Sequence, residues 1–194
     1  PVLGCLRISN PARPARSRSG RTGSLRDGEQ FHSIAGKLGQ GEQIGSEQLN
    51  GIMEFLSIFV DKCHHGKEEE FLFPALEAAG VPRDVDLIGV MLNEHEQGRK
   101  LVAKLKDAVT RYTSGDKTAA AGFQHTTSEY VTLLTQHIEK ENNVLFAMAD
   151  AKLDAAKDAE LFEAFEQLEN ERIGPGKHEE FHELLNRLKH EYLG

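Results

Sequence analysis

Apolar residues recur along this chain at helical spacing, and no segment alternates as a half-buried strand would. Ile52, Leu56 and Val60 form a stripe of period four, flanked by Met53, Phe59 and Cys63. The stripe predicts a helix over 47–79, with Ser46 as N-cap, a kink at Pro74, and a stop at Gly80 and Pro82. A second long helix, over 84–115, carries Ile88, Met91, Leu92, Val102, Leu105 and Val109 on its apolar face. A third, over 117–153, carries Tyr130, Leu134, Ile138, Val144, Leu145 and Met148. Ahead of them Phe31, Ile34, Ala35 and Leu38 suit a short helix, followed by a loop with Gly39, Gly41 and Gly45. Connections are short, so neighbouring helices are expected to be antiparallel.

Two further stretches read as helical. Residues 158–171 place Leu161, Phe162, Phe165 and Leu168 on one side, and 177–193 place Phe181, Leu184, Leu185, Leu188 and Tyr192 on one side. Ile173-Gly174-Pro175-Gly176 separates them. The expected domain plan is therefore a helical bundle over 28–153 and a helical extension over 154–194 that packs on it.

Residues 1–27 lack this periodicity and are expected to be disordered. They hold three of the six prolines, and Arg7, Arg13, Arg16, Arg18, Arg21 and Arg26 without an acid before Asp27. An Arg-rich, Ser-rich, acid-free start is also how organelle transit peptides read. The rest of the chain is acidic, and the whole carries a net charge of −8, which argues against nucleic acid as a partner. No apolar run approaches the ~18 residues of a membrane helix, so no membrane partner is expected. Cys5 and Cys63 are too few for a disulfide framework and fit a reducing, cytoplasmic setting.

The chemistry lies in an internal match. His64-His65-Gly66-Lys67-Glu68 precedes Leu72-Phe73, and His137-Ile138-Glu139-Lys140-Glu141 precedes Leu145-Phe146. Aligning the Leu-Phe pairs overlays His64 on His137, Lys67 on Lys140 and Glu68 on Glu141. Residues four apart stack on one helix face, so each His and Glu point the same way. Both pairs continue an apolar stripe, where a carboxylate is costly unless paired or bound to a metal. His95 interrupts the core face of a third helix, between Leu92 and Val102. Mixed imidazole and carboxylate donors without a cysteine cluster suit iron, manganese or zinc. Two Glu with three or more His are too many for one tetrahedral zinc, which favours a dinuclear site.

These segments resemble the bacterial hemerythrin-like HHE cation-binding domain. The likeness is carried by Phe59 to Leu76, with its Cys-His-His-Gly-Lys-Glu-Glu core, by Met91-Leu92-Asn93-Glu94-His95-Glu96, and by His137 to Phe146. It covers about residues 46–153, and the tail around Ile173 to His178 looks like extensions of some members. The resemblance implies an all-α, up-down four-helix bundle around an oxo-bridged pair of non-haem irons. The implied ligands are His64, Glu68, His95, His137 and Glu141, with His65 as a further one; the alternative register pairs His65 with Glu69. The implied activity is binding or sensing of oxygen, or handling of iron, peroxide or nitric oxide. Members also supply a histidine from the first helix, for which His32 is the sole candidate here. Either His32 serves, or one iron lacks a ligand, or the true N-terminus is missing.

No general base or nucleophile is organised for turnover, so binding or sensing leads over a di-iron oxidoreductase acting on peroxide or nitric oxide. A third class rests on His178-Glu179-Glu180-Phe181-His182, which matches the His-Glu-x-x-His pattern of zinc peptidases. The alternative for that stretch is an amphipathic helix packing Phe181, Leu184 and Leu188 on the bundle. Cys63 reads as a small core residue or a redox sensor, and Lys67 and Lys140 as partners of nearby acids or as surface lysines.

Overall fold

The computed structural model describes residues 33–37, 40, 43–83 and 87–192; the disorder expected of 1–27 and the role of His32 lie outside them. Every regular element among the described residues is helical. A short helix, α1, covers 33–37. Helix α2 runs unbroken through Ser46–Glu54, Phe55–His65, Glu68–Leu72 and Phe73–Ala78. Then come α3 (Leu87–Thr113), α4 (Ala119–Lys140, Glu141–Leu145 and Phe146–Lys152), α5 (Ala155–Arg172) and α6 (Lys177–Tyr192).

The helix ends follow local chemistry. Gly45, not Ser46, is the N-cap of α2. Its N–H donates to Gln48 Oε1 at 3.2 Å, so the side chain at the third helical position reaches back over the cap. At the other end Val81 N–H reaches Leu76 O at 3.0 Å and Gly80 N–H reaches Glu77 O at 3.0 Å, with Gly80 at φ 88°. Only glycine takes that left-handed turn cheaply. Gly115 ends α3 the same way, at φ 103°. Helix α5 starts three residues earlier than its apolar pattern suggests, because Asp154 accepts the Lys157 N–H at 2.8 Å and caps it.

Apolar faces bury against one another in two clusters. One gathers Leu49, Ile52, Leu56 and Val60 of α2 with Leu105, Val109 and Tyr112 of α3 and Phe123 and Tyr130 of α4. Ile34 of α1 and Phe181, Leu185 and Leu188 of α6 close it. The other joins Leu72, Phe73 and Leu76 of α2 with Ile88 and Met91 of α3, Leu145 and Phe146 of α4, and Leu161 and Phe165 of α5. Between the two clusters, each long helix carries buried polar residues: His64, His65 and Glu68 on α2, His95 on α3, His137 and Glu141 on α4. A polar belt thus crosses the bundle between two apolar halves.

Two expected core residues are on the outside. Val144 is 44% exposed and Phe162 37%. The turn Glu141–Leu145 is wide, with the Phe146 N–H bonded to Glu141 O five residues back. It adds a residue to that turn and rotates Val144 off the face that a 3.6-residue period assigns it. On α5 the buried line is Leu161, Phe165 and Leu168, and Phe162 sits at its edge. Among the described residues, no helix is long and apolar enough to cross a membrane.

Candidate metal centre

Three helices converge on the belt. Glu68 and Glu141 each open a wide turn: Phe73 N–H bonds Glu68 O, and Phe146 N–H bonds Glu141 O. The repeat in sequence is thus matched by a wide turn at each glutamate, and such turns commonly mark functional sites; ahead of it, Phe55–His65 is wide-turned as well, whereas Ala119–Lys140 is regular α-helix. Glu141 Oε1 lies between two histidines, 3.1 Å from His64 Nε2 and 3.0 Å from His137 Nε2. Glu68 Oε2 lies 3.1 Å from His95 Nε2. The His65 ring stacks on the His95 ring, with centroids 3.8 Å apart.

All six side chains named from the sequence are brought together. His64, Glu68, His137 and Glu141 can each offer one ligand atom within a 4.8 Å cluster, and so can His65, His95 and His137. His137 belongs to both groups. His64 and His65 both reach the belt, since they start different groups. The carboxylates separate clearly: Glu68 is fully buried at the centre, while Glu69 is partly exposed and meets the Nδ1 of His95 from behind.

The polar atoms here are poorly satisfied by protein alone. Both carboxylate oxygens of Glu68, His95 Nε2 and His137 Nε2 are buried without a well-oriented hydrogen bond, despite the short distances just given. Buried carboxylates and imidazoles left in that state are expensive. A cation fits them: the unpaired atoms are all acceptors or lone-pair donors of the kind metals bind.

Without an ion, the acids and histidines of the belt compensate one another. Burial pushes the Glu141 carboxyl up, but the facing His64 and His137 outweigh it and hold the group well below the ordinary carboxylate range. Burial would lower His64, yet Glu68 and Glu141 leave it raised. His137 loses to burial but gains more from Glu141 and Glu94, and rises to about 10. His65 goes the other way, far below its ordinary value, through burial first and then the neighbouring His95, His64 and His137. It is a neutral imidazole, the form that binds metals.

The outer ring of contacts was not read from the sequence. His95 Nδ1 meets Glu69 Oε1 at 2.7 Å, His137 Nδ1 meets Glu94 Oε2 at 3.0 Å, and His65 Nδ1 meets Asp61 Oδ1 at 3.4 Å. Carboxylates only accept, so each Nδ1 carries a proton, and Nε2, which faces the belt, is the atom that would bind a metal once its own proton is released. Glu69 and Glu94 are both held below the ordinary range; burial raises them, and the bonds from His95 and Arg99, or from His137 and Lys140, outweigh it. Asp61 and Glu69 lie four residues either side of His65, a spacing that could have suggested them. Glu94 reaches His137 across 43 residues, which only tertiary structure reveals.

The remaining motif residues have other places. Lys67 is almost wholly buried and pairs with Glu169 of α5, and Lys140 pairs with Glu94 at 2.6 Å. Cys63 is buried and its thiol is pushed up to about 11, chiefly by burial, so it packs as a small core residue. The His178 side chain lies outside the description, and Phe181 and Leu188 of that segment are core.

An all-helical bundle with a buried belt of histidines and glutamates defines a protein that binds metal cations. The chain belongs to the hemerythrin HHE cation-binding family, whose domain model matches residues 26–149. It is similar to Uncharacterized protein Rv1995 of Mycobacterium tuberculosis, 26% identical over 138 residues, 71% of this chain and 53% of that protein. Uncharacterized protein Mb2018 of Mycobacterium bovis matches to the same extent. Iron-sulfur cluster repair protein YtfE of Escherichia coli is 28% identical over 103 residues, 51% of this chain and 47% of that protein. The chain spans about half the length of these curated relatives.

Proposed function

We propose that the chain holds two non-haem irons in the belt and uses them to bind or sense oxygen or a related small molecule. The observation that carries this is the set of buried, unsatisfied acceptors at Glu68, His95 and His137 within six converging donors. Six donors in two overlapping groups exceed the needs of one tetrahedral ion. His64, Glu68, His137 and Glu141 would hold one iron, and His65 and His95, with His137 nearby, the other. Glu68 and Glu141 would supply the carboxylate ligands. A bound iron pair supplies reversible electron transfer and an open position for a diatomic ligand. The protein's part is to fix the imidazole tautomers through Asp61, Glu69 and Glu94. The apolar clusters on either side exclude bulk water and bulky substrates.

A second reading is a di-iron oxidoreductase acting on peroxide or nitric oxide, or a handler of iron. It is favoured by the similarity to the protein named for iron–sulfur cluster repair. The two part on one measurement: a spectrum that reverses on deoxygenation supports binding, and one that decays with product formation supports turnover. The proposal as a whole is tested by metal analysis and absorption of protein loaded with iron. About two irons per chain and oxo-to-iron charge-transfer bands are expected. A folded chain that takes up no iron overturns it.

A further inference from the structure

Arg99 stands one helical turn beyond His95 on α3 and faces α2. Its Nε donates to Asp61 Oδ1 at 2.6 Å and its Nη2 to Glu69 Oε1 at 2.7 Å. Asp61 and Glu69 are eight residues apart on α2, two turns on one face. Each of them holds the Nδ1 of a different belt histidine: Asp61 holds His65, and Glu69 holds His95. Those two histidines are the stacked pair. One guanidinium therefore ties both carboxylates that orient both rings.

We infer that Arg99 is a positioning residue for the metal position flanked by His65 and His95, acting through Asp61 and Glu69. This rests on the iron-pair reading above. The fork geometry matters: arginine presents two N–H groups at fixed spacing to two acceptors, whereas lysine offers one point charge. The ion pairs themselves are about a third exposed and add little stability. Their effect falls on the rings, because carboxylates behind ligating histidines fix orientation and basicity. The position held by His64 and Glu141 has no contact with Arg99 among the described residues and serves as the internal reference.

The test is titration of the metal-free full chain with Co(II), read by visible absorption and by metal per chain. Wild type is expected to take up two ions. Arg99→Ala is expected to keep one at wild-type affinity and to bind the second about 10–100-fold more weakly. Arg99→Lys should recover only part of that loss. Glu69→Gln, which keeps the side chain's size, should weaken the same ion and alter the same absorption bands. Melting of the metal-free proteins is recorded alongside. Equal weakening of both ions, in step with a lowered melting temperature, would assign Arg99 a merely structural role and overturn the proposal. So would a wild-type titration curve for Arg99→Ala. Wild type that takes up no Co(II), or a His95→Ala variant that binds as wild type does, would instead overturn the iron-pair reading on which the proposal stands.

Discussion

The two copies of the repeated motif share their histidine, lysine and glutamate and a wide turn at the glutamate, but differ in the helix ahead of it, wide-turned over Phe55–His65 and regular over Ala119–Lys140, and in what surrounds them. Both present a histidine, a lysine three residues on and a glutamate four on, and both open a wide turn at the glutamate. In the α4 copy, Glu141 has two histidines on one oxygen, and Lys140 at the surface steadies Glu94 behind His137. In the α2 copy, Glu68 has no well-formed hydrogen bond, and Lys67 turns away from the belt to a buried pair with Glu169 of α5. In the α4 copy the carboxylate is paired and His137 Nε2 is left without a well-formed hydrogen bond; in the α2 copy it is the carboxylate itself that is left. A motif thus fixes the donors, while its neighbours decide which donor depends on the ion.

The largest test of this contrast removes each carboxylate in turn. Glu141→Gln should cost the metal-free protein about 3 kcal/mol, because it strips the partner from two buried histidines. Glu68→Gln should change metal-free stability by less than about 1 kcal/mol, since it breaks no formed hydrogen bond. Both should lose metal, and denaturant unfolding with and without metal separates the effects. The Glu141 side also predicts a pH dependence. His137 is raised in the folded state to about 10, so its stabilising charge is fully present below its ordinary value near 6.5. That contribution is lost as pH rises through about 10. Metal requires the neutral ring, so metal affinity should rise over the same window, with protons released on binding. Calorimetry in buffers of different ionisation enthalpy measures that release.

The lysines come next. Lys67→Met should cost about 2 kcal/mol, through the lost charged hydrogen bond between α2 and α5. Lys140→Met should cost under about 1 kcal/mol but weaken metal about 10-fold through Glu94 and His137. Thermal melts and metal titrations read the two separately.

The smallest effect contrasts Gly66 with its counterpart Glu139. A Cβ at Gly66 would sit 2.5 Å from Arg172 Nη1, whose guanidinium also bonds Lys62 O and Glu70. Gly66→Ala should displace that side chain at a cost of about 1 kcal/mol, whereas Glu139→Ala at an exposed position should stay within about 0.5 kcal/mol. Equal melting temperatures for these two variants would remove the distinction.

Much of this was legible in advance. The apolar stripes located each described helix, and the offset repeat with His95 located five of the six belt residues; His65 came from the family resemblance alone. What escaped has physical causes. Val144 was misplaced because a wide turn breaks the helical period that the reading assumed. Glu94 escaped because it serves a histidine on another helix, and no spacing within α3 connects it to His137. Arg99 was on the face of His95 and could have been noticed, but its role depends on two acids of α2. The burial of Lys67 needed α5, whose register on α2 no local pattern specifies.

The belt has a consequence for cooperativity. Among the described residues it lies between two apolar clusters, each built from pieces of the same three long helices. An ion held by the belt residues would tie all three helices at the seam and so join the two clusters into one unit. Without it, amide exchange should divide into two classes, the Leu49–Val60 end opening independently of the Leu72–Leu76 end; with it, the classes should merge. The metal centre would then set how the molecule comes apart as well as what it binds.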